Sequence, residues 1–494
     1  MDRRQFMKAL AVAASAHAAP FPSVFAATGT DPARASANGT GAPAWSVGFD
    51  GVSEDLPRQR IEVEGEIPRS CFGSLFRNGP ALYERAGERY QHWFDPDGMI
   101  QAFRFDERGV SHEGRFVRTR KFQQEQAAGR FLYNGAGSVF ENAQAARNNE
   151  STNVANINVQ PLNGELLALW EAGMPYALDP ETLATHGPRS WSEELAGVPF
   201  SAHPKFDENG DLWNIGSVPW LHSPKLVLYH VGANGKLRTA KMHGLDFGGY
   251  IHDFVLTPEY LVVLNSSAIF GSGHSFVDQM HWQPQQASQL LVFQRSDLSL
   301  RAKVEVPASF VFHFGNGWQD RDGLHFTACQ YEDSKIVTDS MRRFAQQQAG
   351  VAHAAPTLVR YDLERNLQRV EITNLDADME FPSFDPRRPF TPQTLLGASG
   401  EATSESALAS AVSTVDPLTG DRQSFDYGDG VIVQEPLFIA GPDGGYAMHG
   451  FLDYEQGVSG VAILRAANLA EGPIAKATME RVLPLGFHGC FVSA

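Results

Sequence analysis

The chain has 494 residues, 43% of them hydrophobic and 11% aromatic, with 33 Phe, which gives ample apolar surface for a large core or for an apolar ligand. Its formal charge of −17, from 40 Lys and Arg against 57 Asp and Glu, comes with no basic run in the body of the chain, which argues against nucleic acid as a partner. Beyond the N-terminus no stretch of 18 apolar residues occurs, so no transmembrane segment is expected, although an exposed apolar loop could still touch a membrane surface.

The first element is an export signal. Asp2-Arg3-Arg4-Gln5-Phe6-Met7-Lys8 precedes an Ala- and Val-rich run from Ala9 to Ala19 and small residues at Ala16-His17-Ala18 and Phe25-Ala26-Ala27. This resembles a twin-arginine signal peptide over residues 1–27, and it predicts a periplasmic protein. Residues 28–50, rich in Thr, Gly, Ala, Ser and Asn, read as a flexible lead-in, and residues 51–494 as a single domain. Three cysteines, Cys71, Cys329 and Cys490, are too few and too odd in number for a disulfide framework. Cys490 reads as a small buried hydrophobe.

From about residue 60 the chain is written in short apolar or alternating runs broken by Gly, Pro, Asn and Asp. In chain order the pattern predicts a helix at Lys121 to Arg130, then strands at Leu166 to Trp170, Leu226 to His230, Tyr260 to Leu264 and Leu290 to Phe293. It continues with a helix around Met341 to Gln348, a strand at Thr357 to Tyr361, a helix near Ser404 to Ala411 and a strand at Gly460 to Leu464. Strands do not alternate with long helices, which argues against a parallel α/β sheet and leaves a propeller, sandwich or large barrel. Lys205 to Trp213 and Phe438 to Tyr446 share one grammar, strand, Asp/Gly turn, strand, as divergent blades of a β-propeller would. The length after the leader suits about seven blades of roughly 60 residues, with short helices and loops capping one face.

Four histidines stand in separate local contexts: His203 before Pro204, His252 before Asp253, His313 between Phe312 and Phe314, and His488 before Gly489. They lie 49, 61 and 175 residues apart, too far for one helix or hairpin to gather them. A lone histidine in an apolar context is usually a satisfied core residue. Four together can hold a divalent transition metal through imidazole nitrogens alone, leaving positions open. Innermost strands of a propeller line one axis, so each of several blades could contribute one ring.

These motifs carry a resemblance. Gly65-Glu66-Ile67-Pro68, Gly73 to Pro80, His92-Trp93-Phe94-Asp95-Pro96-Asp97-Gly98-Met99, Arg115 to Thr119, Ser151 to Asn156 and Pro180 to Leu183 appear in order ahead of the four histidines. The chain is similar to the carotenoid cleavage oxygenases, and the likeness runs from Gly65 to the end. It implies a seven-bladed propeller that holds one Fe(2+) per chain on His203, His252, His313 and His488 and splits a carbon–carbon double bond with O2. It also implies that Glu171, Glu380 and Glu435 support three of those imidazoles. A glutamate accepting the far ring N–H fixes the tautomer and raises the ligand's basicity. His92, though in an equally recognisable motif, is expected to be structural.

The implied substrate is an apolar small molecule in an aromatic tunnel, with Phe312, Phe314 and Trp318 as candidates beside the third ligand. Carotenoids or apocarotenoids are the first class and hydroxystilbenes or other phenylpropenoids the second, the latter with Lys121 as a reader of the phenol. Pro96, Gly317-Trp318-Gln319 and Phe384 to Arg388 depart from the family pattern without touching a ligand. A ligand-binding or hydrolytic propeller is the alternative outside oxygen chemistry. Hydrolytic propellers that use calcium rely on oxygen ligands, unlike this imidazole set.

Overall fold

The computed structural model describes residues 41–351, 355–400 and 408–494. The twin-arginine segment and most of the lead-in, residues 1–40, lie outside the described residues, as does the first half of the helix expected near Ser404. The described end of that segment is extended instead, since Ala411 opens the strand Ala411–Val415.

Every strand read from the sequence is present, Glu165–Leu169 shifted by one residue and the others lengthened by one to three: Lys225–Val231, Tyr260–Asn265, Ser288–Gln294, Thr357–Glu364 and Val458–Arg465. The described strands form five consecutive four-stranded antiparallel sheets, one sheet of nine strands and two two-stranded ribbons. The five sheets begin with Asn158–Leu162, Lys205–Phe206, Phe254–Leu256, Phe310–Gln319 and Glu380–Ser383. Their fourth strands, such as Leu237–Gly244 and Arg422–Asp426, are the most exposed. Four of the five first strands touch the next first strand or an end of the nine-stranded sheet, which sets them around the axis of a β-propeller.

The expectation of seven separate blades is corrected. Five sheets stand alone, and nine further strands form one continuous sheet, because the ten-residue strand Leu56–Gly65 serves two partners in succession. Its first half pairs with Gly109–Phe116 (Ile61 opposite Val110), its second with Pro473–Met479 (Glu62 opposite Thr478). The end strands of this sheet, Val431–Ile439 and His488–Ser493, lie against each other without a ladder, so the sheet nearly closes on itself and presents both ends to the axis.

The lead-in also ends earlier than residue 50. Ala44–Phe49 is a 3₁₀ turn whose Trp45 and Phe49, four positions apart, pack edge-on against Phe344 and Trp93 in the main core. The expected first helix is Arg120–Ala128, capped by the Thr119 hydroxyl, which accepts from the Phe122 N–H at 3.0 Å, and closed by Gly129 at φ +65°. The second is shorter than expected: a π turn, Ile336–Ser340, runs into Met341–Ala345, with Ile336, Met341 and Phe344 facing inward. All three cysteines are buried and free, Cys490 included.

Candidate metal centre

Three histidines stand at the axial end of a strand or just before it, and the fourth within one. His203 lies two residues before Lys205–Phe206, His252 two before Phe254–Leu256, and His488 opens His488–Ser493. His313 lies inside Phe310–Gln319, where the pairing steps from Val311 opposite Gln330 to Phe314 opposite Ala328, one extra residue on the His313 side. Such a bulge re-aims a side chain that regular alternation would send elsewhere. Similar irregularities occur beside Glu380 and Glu435.

The four imidazoles are between 4% and 7% exposed, and their candidate donor atoms all lie within 4.8 Å of one another. Nε2 of His203 is 2.9 Å from Nε2 of His252, and Nε2 of His313 is 3.2 Å from Nε2 of His488. Adjacent nitrogens on a metal at the usual imidazole distance of about 2.1 Å sit about 3.0 Å apart. On the far side of three rings stands a carboxylate: Nδ1 of His252 donates to Glu171, Nδ1 of His313 to Glu380, and Nδ1 of His488 to Glu435 at 2.8 Å. With Nδ1 as donor, Nε2 of these rings carries a bare lone pair. Lone pairs facing each other at 3.2 Å repel unless a cation stands between them, so the donor set fits a metal ion. Burial, reinforced by the neighbouring imidazoles, holds His203 and His488 well below the ordinary histidine range, in the neutral form that ligation requires.

Each glutamate is held differently. Tyr250 donates its hydroxyl to Glu171, with Oε1 at 2.8 Å and Oε2 at 3.0 Å. Glu380 accepts the N–H of Phe381 at 2.9 Å. Phe381 has the left-handed φ of +56°, a strained value for this residue, and its ring packs on both His313 and His488. Glu435 accepts from Arg77 and from the Gly489 N–H, and burial pushes its carboxyl up to about 7 against the lowering effect of Arg77. Three carboxylates and one guanidinium leave a deficit of two positive charges, which a divalent cation supplies. Asp253 ties the ligand segments together: it pairs with Lys205 at 2.9 Å and accepts the Phe314 N–H at 2.9 Å.

Tyr250, Arg77, Asp253 and Lys205 were not singled out from the sequence. Lys205 and Asp253 at least flank ligands, which is the only signal that could have found them. His92 is structural as expected: one ring nitrogen faces the Val337 carbonyl at 2.8 Å and the other accepts the Phe94 N–H.

A cavity of about 130 Å³ opens on His252, His313 and His488. Its walls include Trp93, Phe94, Ile157, Phe312, Phe344 and Phe487. Of the substrate candidates only Phe312 lines it, edge-on to His252 with centroids 4.9 Å apart. Phe314 packs against Phe326, and Trp318 stacks on His325, both away from this cavity. Lys121 does not line it either. It is 1% exposed and its ammonium is enclosed by Tyr90 Oη at 2.7 Å, Asp97 at 3.1 Å and Glu125 at 2.8 Å. The expected phenol-reading role of Lys121 is therefore corrected, because its donors are already committed.

The family model of the retinal pigment epithelial membrane protein, RPE65, matches residues 49–493. The chain belongs to the RPE65 and carotenoid cleavage oxygenase family. Members with curated functions include the apocarotenoid-15,15'-oxygenase of Synechocystis, 29% identical over 479 residues that cover 90% of this chain and 95% of the relative. The isoeugenol monooxygenase of Pseudomonas nitroreducens is 26% identical, covering 87% and 94%. Among solved structures, the cobalt-substituted apocarotenoid oxygenase of Synechocystis superposes with a TM-score of 0.80 at 25% identity, covering 91% of this chain and 98% of its own. This carotenoid cleavage oxygenase is accordingly an oxidoreductase of that type, with a buried four-histidine group that fits a metal ion.

Proposed function

We propose that this chain is a non-haem Fe(2+) dioxygenase that cleaves a carbon–carbon double bond of an apocarotenoid or carotenoid. One alkene and one O2 become two carbonyl fragments, so atoms and electrons balance without an external reductant. The observation that carries the reading is the convergence of His203, His252, His313 and His488, three of them on the wall of an otherwise apolar cavity. When bound, Fe(2+) supplies activation of dioxygen, which imidazole-only ligation with open positions suits. The chain's own residues do the rest. Glu171, Glu380 and Glu435 hold the proton on each Nδ1, so that Nε2 stays free to ligate. Phe312, Phe94 and Phe487 exclude water and hold a planar polyene against the centre.

A second reading, cleavage of a phenylpropenoid or hydroxystilbene, is favoured by cavity size: a space near 150 Å³ takes one benzene ring, and this one is about 130 Å³. The isoeugenol monooxygenase relatives support the same reading. Incubating iron-loaded protein with one carotenoid, one apocarotenal and one hydroxystilbene under ¹⁸O2, with mass detection of the aldehydes, tests both. Label in both fragments of an apocarotenal supports the main reading, label in one fragment marks a monooxygenase, and turnover of the stilbene alone selects the second. We further propose export to the periplasm by the twin-arginine route, carried by Arg3-Arg4 and the residues after them. Retention of the Arg3→Lys/Arg4→Lys variant in the cytoplasm is the expected outcome.

A further inference from the structure

We propose that Arg77 is the positioning residue that sets the His488 arm of the metal centre. The proposal rests on the metal-centre reading above and adds a residue that touches neither the metal nor the substrate. Arg77 lies in strand Gly73–Leu82 and is 4% exposed. Its Nη1 donates to the main-chain oxygen of Glu435 at 2.9 Å and to Oε2 of the same residue at 3.3 Å, while Nη2 donates to the carbonyl of Phe487 at 3.1 Å. One guanidinium thus holds the backbone just before a ligand and both the backbone and side chain of that ligand's carboxylate.

The remaining contacts fix which oxygen meets the imidazole. The Gly489 N–H donates to Oε2 of Glu435 at 2.8 Å, leaving Oε1 for Nδ1 of His488 at 2.8 Å. That approach requires glycine, since a Cβ at residue 489 would stand 2.3 Å from the Phe76 carbonyl oxygen. Glu435 sits at an irregularity between Val433 and Pro436, where the ladder itself does not fix its direction.

Each ligand lies in or just before an end strand of its sheet, so none is held by ladders on both sides. His313 lies within the first strand of a four-stranded sheet, and His203 and His252 immediately precede one. The strand His488–Ser493 ends the nine-stranded sheet and has a single ladder neighbour, Gly73–Leu82, which is the strand that supplies Arg77. The planar guanidinium can grip Glu435 and Phe487 at once, whereas an ammonium is a point donor.

The test is a titration of chelator-stripped protein with Co²⁺, read by its visible d–d absorption and by metal per chain, with circular dichroism as the check on folding. Wild type, R77M, R77K, E435Q and R77M/E435Q are compared. Arg77→Met is expected to weaken Co²⁺ affinity roughly 10- to 100-fold, the usual cost of losing a group that orients a ligand, and to alter the band intensities. Arg77→Lys is expected to fall between R77M and wild type. The double variant should lose clearly less than the two single losses combined, because Arg77 acts in part through Glu435. Wild-type affinity and spectrum in R77M, or additive losses in the double variant, overturn the proposal. If R77M does not fold, R77K decides: unchanged affinity with an unchanged spectrum overturns it. A wild-type protein that takes up neither Co²⁺ nor Fe²⁺ removes the metal-centre reading, and this proposal with it.

Discussion

Two regions bury several ionisable groups, and they differ in where the positive charge comes from. Around Lys121, two carboxylates and a phenol surround an ammonium that the chain itself supplies, and its three donors meet three acceptors. Around His252, His313 and His488, three carboxylates surround neutral imidazoles whose remaining lone pairs face one another beside a cavity. In the first cluster all three ammonium donors are committed within the chain, which leaves none for a ligand and makes it structural. The second is balanced only by a cation from outside, which is the signature of a site.

The comparison can be broken most sharply at the ligands. His252→Ala or His313→Ala is expected to abolish iron retention and lower cleavage by about 10³-fold or more, since a metal ion contributes several kcal/mol to the barrier. Metal analysis and aldehyde yield read the effect, and full activity in either variant would refute the centre. Lys121→Met should do the reverse: stability falls by about 3–5 kcal/mol, because Asp97 and Glu125 are left buried without their cation. Urea unfolding measures that loss, and the folded fraction should still bind one iron per chain.

Tyr250→Phe removes one hydrogen bond from Glu171 and is expected to cost about 1.5–3 kcal/mol, the range for bonds to charged groups. The loss should appear as weaker metal affinity, by roughly 10-fold or more on the same scale. A histidine outside the metal centre that also has carboxylate partners sharpens the contrast at the smallest scale. His325 stands between Asp362, which it meets through Nδ1 at 2.6 Å, and Asp320, through Nε2 at 2.9 Å, near the surface. Hydrogen bonding to Asp362, helped by Asp320 and opposed by partial burial, raises its pKa above the ordinary value. Its stabilising contribution is therefore fully present below the unfolded value near 6.5 and is lost as pH rises through the folded one. The difference in urea midpoint between wild type and His325→Gln should accordingly be larger at pH 5.5 than at pH 9.

Much of this was legible in the chain because strands are local: alternation and turn residues located six strands to within three residues. The four histidines and three glutamates were legible through their ordered motifs. What was lost depended on pairing between distant segments. The blade count failed because nothing in Leu56–Gly65 announces that it will serve two neighbours. Phe314 was placed with Phe312 by simple alternation, but the extra residue between Val311 and Phe314 separates them. Phe312 joins the cavity and Phe314 the packing around Phe326. The roles of Arg77, inside the Gly73 to Pro80 motif, and of Tyr250 depend on partners 358 and 79 residues away.

The strand shared by residues 56–65 also bears on how the protein is made. A sheet that knits residues 56–116 to residues 431–493 cannot close while the ribosome still holds the later segment. The early strands must wait, unpaired on one side, through more than 300 residues of synthesis. Such non-local pairing folds slowly and leaves edges open to aggregation in the meantime. Metal capture by all four histidines thus waits for the synthesis of His488, and chaperone demand during biosynthesis should be highest for residues 56–116, which wait longest for their partners.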